Sequence, residues 1–176
     1  MALIQTIDPK EATGPVKEIY DKMLKVAPVV PKPLQMMSPS PELLSITLRS
    51  VMYYVHHPRF SPLLLAHIRL LVAHQFDYRY CVAFNTSVMQ MLSDLTDDQI
   101  EQLKKDPSTA GLEDKEKQLL LFVLKAVDTP TAIDDTDVSA LREMGWTDQE
   151  MVEATHYGAD MVRHGILFKA FKMDEV

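Results

Sequence analysis

The sequence predicts an all-α protein, a single-domain helical bundle of about eight helices that spans residues 1–176. Apolar residues recur three and four positions apart in most segments, which is the spacing of one helix face. The chain has eleven prolines and five glycines. The prolines stand just before periodic segments, as in Ser40–Pro41 and Ser61–Pro62, where serine is a good N-cap and proline suits the first helical turn. So few glycines argue against a hairpin-rich sheet.

The helices are expected in a clear order along the chain. The first begins near Pro15, in the segment TGPVKEIYDKMLKV. The next segment, APVVPKPLQMM, contains Pro28, Pro31 and Pro33, and we predict an extended connector there because a residue before proline disfavours the helical region. The two Ser-Pro pairs then open the second and third helices.

The helix from Leu63 to Gln75 is apolar on nearly all sides, which is typical of a central, buried helix. Asp77 is predicted to cap the helix that follows it. Farther along, Thr96 with Gln99 and Thr147 with Glu150 have the spacing of capping boxes. Gly145 is expected to end a short helix between them.

Composition excludes several classes of protein. The net charge of −7, without a basic cluster, argues against nucleic-acid binding. No apolar run is long enough to cross a bilayer, and the N-terminus lacks the apolar core of a secretory signal. A single cysteine, Cys81, allows no intramolecular disulfide and no cysteine-rich zinc site. It fits a reducing compartment, so we expect a cytoplasmic protein.

No cofactor and no metal are expected. The sequence has no glycine-rich nucleotide loop and no haem or flavin motif. His56 and His57 are adjacent, so they point to different helix faces and are poorly placed to share a metal.

The only cysteine lies in FDYRYCVAFN, at the start of a predicted helix that follows HIRLLVAHQ. This helix–turn–helix run, its Tyr80–Cys81 pair and the order of the downstream helices resemble the carboxymuconolactone decarboxylase superfamily, which includes the alkylhydroperoxidase D-like proteins. The resemblance covers most of the chain. It implies an all-α fold, a homo-oligomer (trimer or hexamer), and peroxidase or decarboxylase ancestry.

The positions that carry that family's chemistry differ here. Tyr78 stands where the family has its first cysteine, Asn85 where it has a relay histidine, and Ala66 where it has a glutamate, with His67 beside it. A dithiol peroxidase needs a second thiol to resolve the sulfenic acid formed on the first. Tyr78 cannot do this, so the dithiol cycle is not expected.

Six residues remain as candidate site residues. Cys81, His67 and His74 are the catalytic candidates, because a thiolate and two imidazoles can transfer protons near neutral pH. Tyr78, Asn85 and Tyr80 are the candidates for substrate binding. The competing interpretation of each is structural: a buried cysteine is common, and histidines on a helix often bond to the backbone.

Helical spacing predicts that Tyr78 and Asn85 share one face of their helix, as do His67 and His74 on the preceding one. We therefore expect a cleft between the two helices for a small-molecule ligand. Two functions stay open. One is a small-molecule enzyme, an oxidoreductase or an acid–base catalyst acting on a small carbonyl or lactone-like acid, without the dithiol cycle. The other is a non-catalytic oligomeric binding or structural protein that kept the fold and lost the site.

Overall fold

The computed structural model describes residues 2–173 of the chain, and within this range it contains helices and no strand. The predicted all-α class is confirmed. The α-helices are α1 (Gly14–Met23), α2 (Lys32–Gln35), α3 (Pro41–Val55), α4 (Pro62–Gln75), α5 (Arg79–Leu92), α6 (Asp97–Lys105), α7 (Asp114–Asp128), α8 (Asp135–Glu143) and α9 (Asp148–Ala170). Short 3-10 helices cover Pro107–Thr109 and Pro130–Ala132. No helix in the described range is long and apolar enough to cross a membrane.

The chain forms two compact units. The first unit comprises the residues up to Arg59 and those from Ile166 onward, and it contains α1, α2 and α3. Its core includes Tyr20, which is 1% exposed and whose hydroxyl donates to the Ile7 carbonyl at 3.0 Å. The second unit, Phe60–Gly165, contains α4 to α8 and most of α9. The assignment of the chain to one domain stays a prediction.

The predicted helix starts are largely confirmed. The Ser40 and Ser61 hydroxyls accept hydrogen bonds from backbone N–H groups three residues ahead, in α3 and α4. At α6, Thr96 and Gln99 form a reciprocal capping box. Thr147 and Glu150 bond each other in the same way at the start of α9. These starts are local events, which is why sequence spacing predicts them.

The proline-rich connector was predicted to be extended, and this is wrong over residues 32–35. Pro31 is the N-cap of α2 and is itself extended, with φ −61° and ψ 145°. Pro33 occupies the second helical position, where the missing N–H has no intrahelical acceptor in any case. The buried side chain of Leu34 anchors this one-turn helix. It accounts for nine α-helices in the described range where about eight were expected.

The turn between α4 and α5 also differs from expectation, because Asp77 does not cap α5. Tyr78 is the N-cap, and Asp77 adopts the left-handed region with φ 51°. The Tyr78 N–H donates to the Ala73 carbonyl at 2.9 Å and the Asp77 N–H to the His74 carbonyl at 3.1 Å. These two bonds form a Schellman motif that ends α4, with Asp77 in the place usually taken by glycine. Gly145 plays the same part after α8, as predicted, with φ 83°.

Helix α4 is the most buried element of the second unit. Nine of its fourteen residues are buried, as the all-round apolar pattern predicts. Its N-terminus is held to α7, because the Ser61 N–H and hydroxyl donate to the two carboxylate oxygens of Glu116, at 3.1 and 2.9 Å. A helix enclosed on all sides has to find partners inside the protein for every polar side chain it carries.

Two glycines inside α9 allow close approach to neighbouring helices. A β-carbon on Gly158 would lie 2.6 Å from a methyl group of Val123. A β-carbon on Gly165 would overlap the ring of Tyr78. Glycine lowers helix stability by about 1 kcal/mol relative to alanine. At Gly158 and Gly165, glycine allows close helix packing that a β-carbon would prevent.

We expect Gly165→Ala to lower the free energy of unfolding by about 1 to 3 kcal/mol, because overpacking forces side chains and backbone to shift. Urea unfolding of the variant and of the wild type measures the difference. The matched control is Gly111→Ala, since a β-carbon at Gly111 meets nothing within 4 Å. Equal or greater stability of Gly165→Ala would show that Tyr78 moves aside at little cost.

Candidate functional site

The face of α5 that carries the lone cysteine is packed into the core. Tyr78, Cys81 and Asn85 are 7%, 3% and 4% exposed. They lie three and four residues apart and share one helix face, as the spacing predicts. Burial raises the pKa of the Tyr78 phenol, and the neighbouring Cys81 thiol adds to this rise. All three side chains are therefore part of the core of the second unit.

The polar atoms of this face bond to backbone carbonyls. The Tyr78 hydroxyl donates to the Val162 carbonyl at 3.4 Å. The Asn85 amide donates to the Cys81 carbonyl, one turn back, at 2.7 Å. The amide at the relay-histidine position is thus engaged with its own helix. Tyr80 points elsewhere on α5, where its ring stacks on Phe84 with centroids 6.2 Å apart.

His67 is the candidate whose ring has a buried nitrogen without a hydrogen-bond partner. It is 1% exposed, and its Nδ1 lies 2.7 Å from the Leu63 carbonyl oxygen. A carbonyl only accepts, so Nδ1 carries the proton and Nε2 of the neutral ring is an acceptor. That Nε2 atom is buried and has no hydrogen-bond partner among the described residues. Burial lowers the pKa of His67, opposed by the Leu63 hydrogen bond and the charge of Glu116, so the neutral ring is favoured at pH 7.

A pocket of about 140 Å³ adjoins His67. Every other residue that lines it comes from the segment 95–111, which contains α6 and the first 3-10 helix and is called the α6 wall below. Leu95, Leu103 and Ala110 are its apolar side chains, and Gln99 and Gln102 are its amides. None of the described residues that line the pocket is charged at pH 7. The pocket therefore combines apolar surface, amide groups and one imidazole acceptor.

His74 lies in a different place from His67. It is exposed and lines a groove of about 460 Å³ with Val82 and Thr86 of α5 and Lys104 of α6. The hydroxyl oxygen of Thr86 is the other buried side-chain polar atom without a partner in the described range. The ammonium group of Lys104 forms an ion pair with Glu101 at 2.8 Å.

The structure thus divides the six predicted site residues among separate places. The linings of the His67 pocket and the His74 groove share no residue, and neither includes Tyr78, Cys81 or Asn85. Tyr78 and Asn85 share a buried face of α5, as their spacing predicts, but His67 and His74 line different pockets, and the two predicted faces do not meet in either of them. Their roles in catalysis or binding stay predictions.

A second buried histidine belongs to a polar cluster within α9. His164 is 3% exposed, and its Nδ1 lies 2.8 Å from the Asp160 carbonyl oxygen and 3.3 Å from the Asp160 carboxylate. Its Nε2 lies 3.3 Å from the Arg163 guanidinium, which can only donate. Both ring nitrogens have partners, so this ring is neutral and structural. Burial lowers the pKa of His164, and the Asp160 carboxylate opposes that effect.

Sequence reasoning missed the α6 wall as part of a site. Gln99 was recognised as half of a capping box with Thr96, and its Oε1 atom does accept from the Thr96 N–H at 2.9 Å. Gln102 lies three residues on, hence on the same side of α6. Nothing in the sequence indicates that this side faces His67. Within residues 2–173 no group of three His, Cys, Asp or Glu side chains is arranged to hold a metal ion.

Comparison with known proteins identifies the fold. An uncharacterized peroxidase-related protein from Silicibacter sp. TM1040 superposes with a TM-score of 0.80 at 17% identity, over 97% of this chain and 90% of that one. The chain has the alkylhydroperoxidase D-like fold. An alkylhydroperoxidase AhpD core, an uncharacterized peroxidase-related protein from Ralstonia eutropha JMP134, also superposes with a TM-score of 0.80, at 14% identity, over 98% of this chain and 90% of that one. No family model and no curated protein matches the chain.

Both of these solved structures are described as peroxidase-related, so we predict the result of a peroxide assay and expect it to be negative. Cys81 is buried and is the only cysteine in the sequence, so no pair of thiols exists to complete a dithiol cycle. Alkyl hydroperoxide consumption with dihydrolipoamide as reductant should match the protein-free control. Turnover well above that control and lost in Cys81→Ser would contradict the expectation.

Stability should fall as the pH drops below about 6.5, because His67 and His164 are buried with lowered pKa values. In the unfolded chain a histidine titrates near 6.5. Below that pH the unfolded state binds the proton first, so stability is complete above it and is lost on acidification, by up to about 1.4 kcal/mol per pH unit for each histidine.

Urea unfolding from pH 7.5 to 5 measures this slope. Among the groups that face the two rings, Glu116 and Asp160 oppose the loss, whereas Arg69 and Arg163 add to it. His67→Asn should reduce the slope. A flat profile in the wild-type protein would show that both rings become protonated without cost.

Proposed function

We propose that the protein is a small-molecule enzyme that works by acid–base chemistry at the His67 pocket, without the dithiol cycle. The observation that carries this proposal is the Nε2 atom of His67, which is buried, unpartnered and an acceptor in the neutral ring. A buried acceptor without a partner costs about 1 to 3 kcal/mol. Such atoms are rare in native structures, and a ligand that donates a hydrogen bond would relieve the cost.

The reaction that suits this group is removal of a proton from the carbon next to a carbonyl. Nε2 takes the proton, the C–H electron pair becomes the new C=C bond, and the negative charge moves to the carbonyl oxygen. Transfer of the proton from Nε2 to the carbonyl oxygen gives the enol and restores the neutral ring, which completes a keto–enol isomerisation, and no further reactant is consumed. General-base catalysis of this kind contributes about 10² to 10⁴ in rate.

The residues around His67 stabilise both charges that form in this step, the imidazolium and the oxyanion. The imidazolium that forms still donates from Nδ1 to the Leu63 carbonyl, and the charge of Glu116 favours it. The amide N–H groups of Gln99 and Gln102 are the donors in the pocket lining for the developing oxyanion. Preorganised donors stabilise such an oxygen most where water is excluded.

Deuterium exchange into cyclohexanone in D2O, followed by proton NMR, tests the proposal. We expect the wild-type protein to accelerate exchange at the carbons beside the carbonyl, relative to the same concentration of free imidazole. His67→Asn should lower the protein-dependent rate by at least about tenfold. Asparagine is a conservative choice, since Asn85 already bonds a carbonyl one turn back in α5.

The matched control for that assay is His156→Asn, which makes the same replacement at an exposed site on α9. Its rate should equal that of the wild type. Exchange that never exceeds the imidazole reference, or that survives His67→Asn in a folded variant, would remove His67 from the catalytic role.

The second candidate function is a non-catalytic oligomeric protein that kept the fold. It is favoured by the packed Cys81 face and by exposed apolar side chains on α3, where Leu43, Ile46 and Tyr53 are 53%, 51% and 47% exposed. They lie three and seven residues apart, hence on one side of the helix. Apolar surface of this kind commonly marks an interface between subunits.

We propose that the chain assembles into a trimer or hexamer through this side of α3. Light scattering at micromolar concentration should return about three or six times the 20.0 kDa mass of one chain. Ile46→Lys should shift the particle toward the monomer, because a buried unpaired charge is costly. The control is Gln118→Lys, at an exposed position of α7. A wild-type particle of monomer mass would contradict oligomer formation.

A further inference from the structure

The His67 pocket restricts the molecules that fit it, and it does so by size first. Its volume is about 140 Å³. An engineered apolar cavity of about 150 Å³ in another protein binds benzene. A six-membered ring with one or two substituent atoms is therefore near the upper limit for this pocket. Leu95 and Leu103 offer apolar surface to the ring.

Charge restricts the ligand further. No described residue that lines the pocket carries a formal charge at pH 7, and the imidazole of His67 is neutral there. An anion that enters loses its hydration and gains no opposite charge, which is strongly unfavourable. The favoured ligand is therefore uncharged, which excludes a carboxylic acid in its ionised form.

Hydrogen bonding supplies the remaining restriction. The Nε2 atom of His67 accepts, so the ligand has to donate there. A hydroxyl group donates and also accepts, which allows the Gln99 or Gln102 amide to bond the same oxygen. A buried acceptor discriminates strongly against an analogue that lacks the donor, since the acceptor then stays unpaired.

We infer that the His67 pocket binds small, uncharged, six-membered cyclic enols, and binds the ketones that form them more weakly because a ketone has no hydroxyl donor for Nε2. This inference rests on the proposed function and names its substrate class. Phenol has the same ring, hydroxyl group and absence of charge as such an enol, and it does not convert to a ketone. It is therefore the stable probe of the pocket.

Entry of the ligand requires movement of the α6 wall. The Nε2 atom of His67 has almost no solvent-accessible surface, although the pocket adjoins the ring. Apart from Ile100 and Leu103, the residues of α6 are not buried. A helix held by two buried side chains is weakly anchored, so a small displacement costs little. The ligand then donates a hydrogen bond to Nε2, which no described residue bonds.

Nitrogen NMR of protein labelled with ¹⁵N-histidine tests the inference directly, because the Nε2 resonance reports hydrogen bonds to that atom. The resonance is assigned by its loss in His67→Asn. Phenol should shift it saturably toward the hydrogen-bonded position. Methoxybenzene, which has no donor, benzoate, which is charged, and 2-naphthol, which is too large, should leave it unchanged.

A variant that keeps His67 provides the second measurement. Gln102→Leu preserves the size of the side chain and removes its amide donor, so phenol should bind several-fold more weakly. Gln118→Leu, on an exposed part of α7, should bind phenol as the wild type does. Equal shifts with phenol and methoxybenzene would overturn the donor requirement, and a preference for benzoate would overturn the exclusion of charge. No shift with phenol would overturn the substrate class.

The two proposals fail separately. Phenol binding without deuterium exchange into cyclohexanone supports the ligand class and overturns catalysis by His67. Exchange that depends on His67, together with no effect of phenol on Nε2, supports the proposed function and overturns the ligand class.

Discussion

The enclosure of α4 on nearly all sides controls how the second unit is built. Ile68 packs toward Gly158 of α9, and the Schellman turn at Asp77 leads from α4 directly into α5. Polar side chains on the buried faces of such a helix must find a partner within the protein, whereas His74 and Gln75 at its C-terminal end are exposed. His67 is the buried polar residue of α4, and only one of its two ring nitrogens has a hydrogen-bond partner. A candidate site therefore arises where the most enclosed helix carries a group that the fold does not satisfy.

Packing also explains how Tyr78 fits in the core of the second unit. Tyr78 is far larger than a cysteine, and its ring lies where a side chain on α9 would otherwise project. Gly165 provides the space, and the Tyr78 hydroxyl reaches the Val162 carbonyl one turn earlier on α9. The large ring of Tyr78 is thus accommodated by a glycine distant in sequence, and its hydroxyl fastens α5 to α9.

Sequence reasoning succeeded where structure is decided within a few residues and failed where it is decided by distant ones. The capping boxes, the Ser-Pro starts and the glycine that ends α8 are local, and each was predicted. Asp77 was misplaced because aspartate serves both as an N-cap and, less often, as a left-handed residue. The short helix α2 was missed because the prolines that disfavour a helix interior are tolerated in its first turn.

The candidate site was predicted less completely than the helices, because residues distant in sequence build it. Spacing placed Tyr78 and Asn85 on one helix face, and imidazole chemistry made His67 a candidate together with His74. It did not reveal that His67 faces the α6 wall, since Gln99 and Gln102 come within reach of it only through tertiary packing. The same packing decides the chemistry. A carbonyl fixes the proton on Nδ1 of His67, burial keeps the ring neutral, and the missing partner leaves Nε2 as an acceptor. At His164 a carbonyl also fixes the proton on Nδ1, and burial also keeps the ring neutral. Its Nε2, however, has a partner, the Arg163 guanidinium. One occupied ring nitrogen is the difference between a histidine that stabilises the fold and one that is available to a ligand.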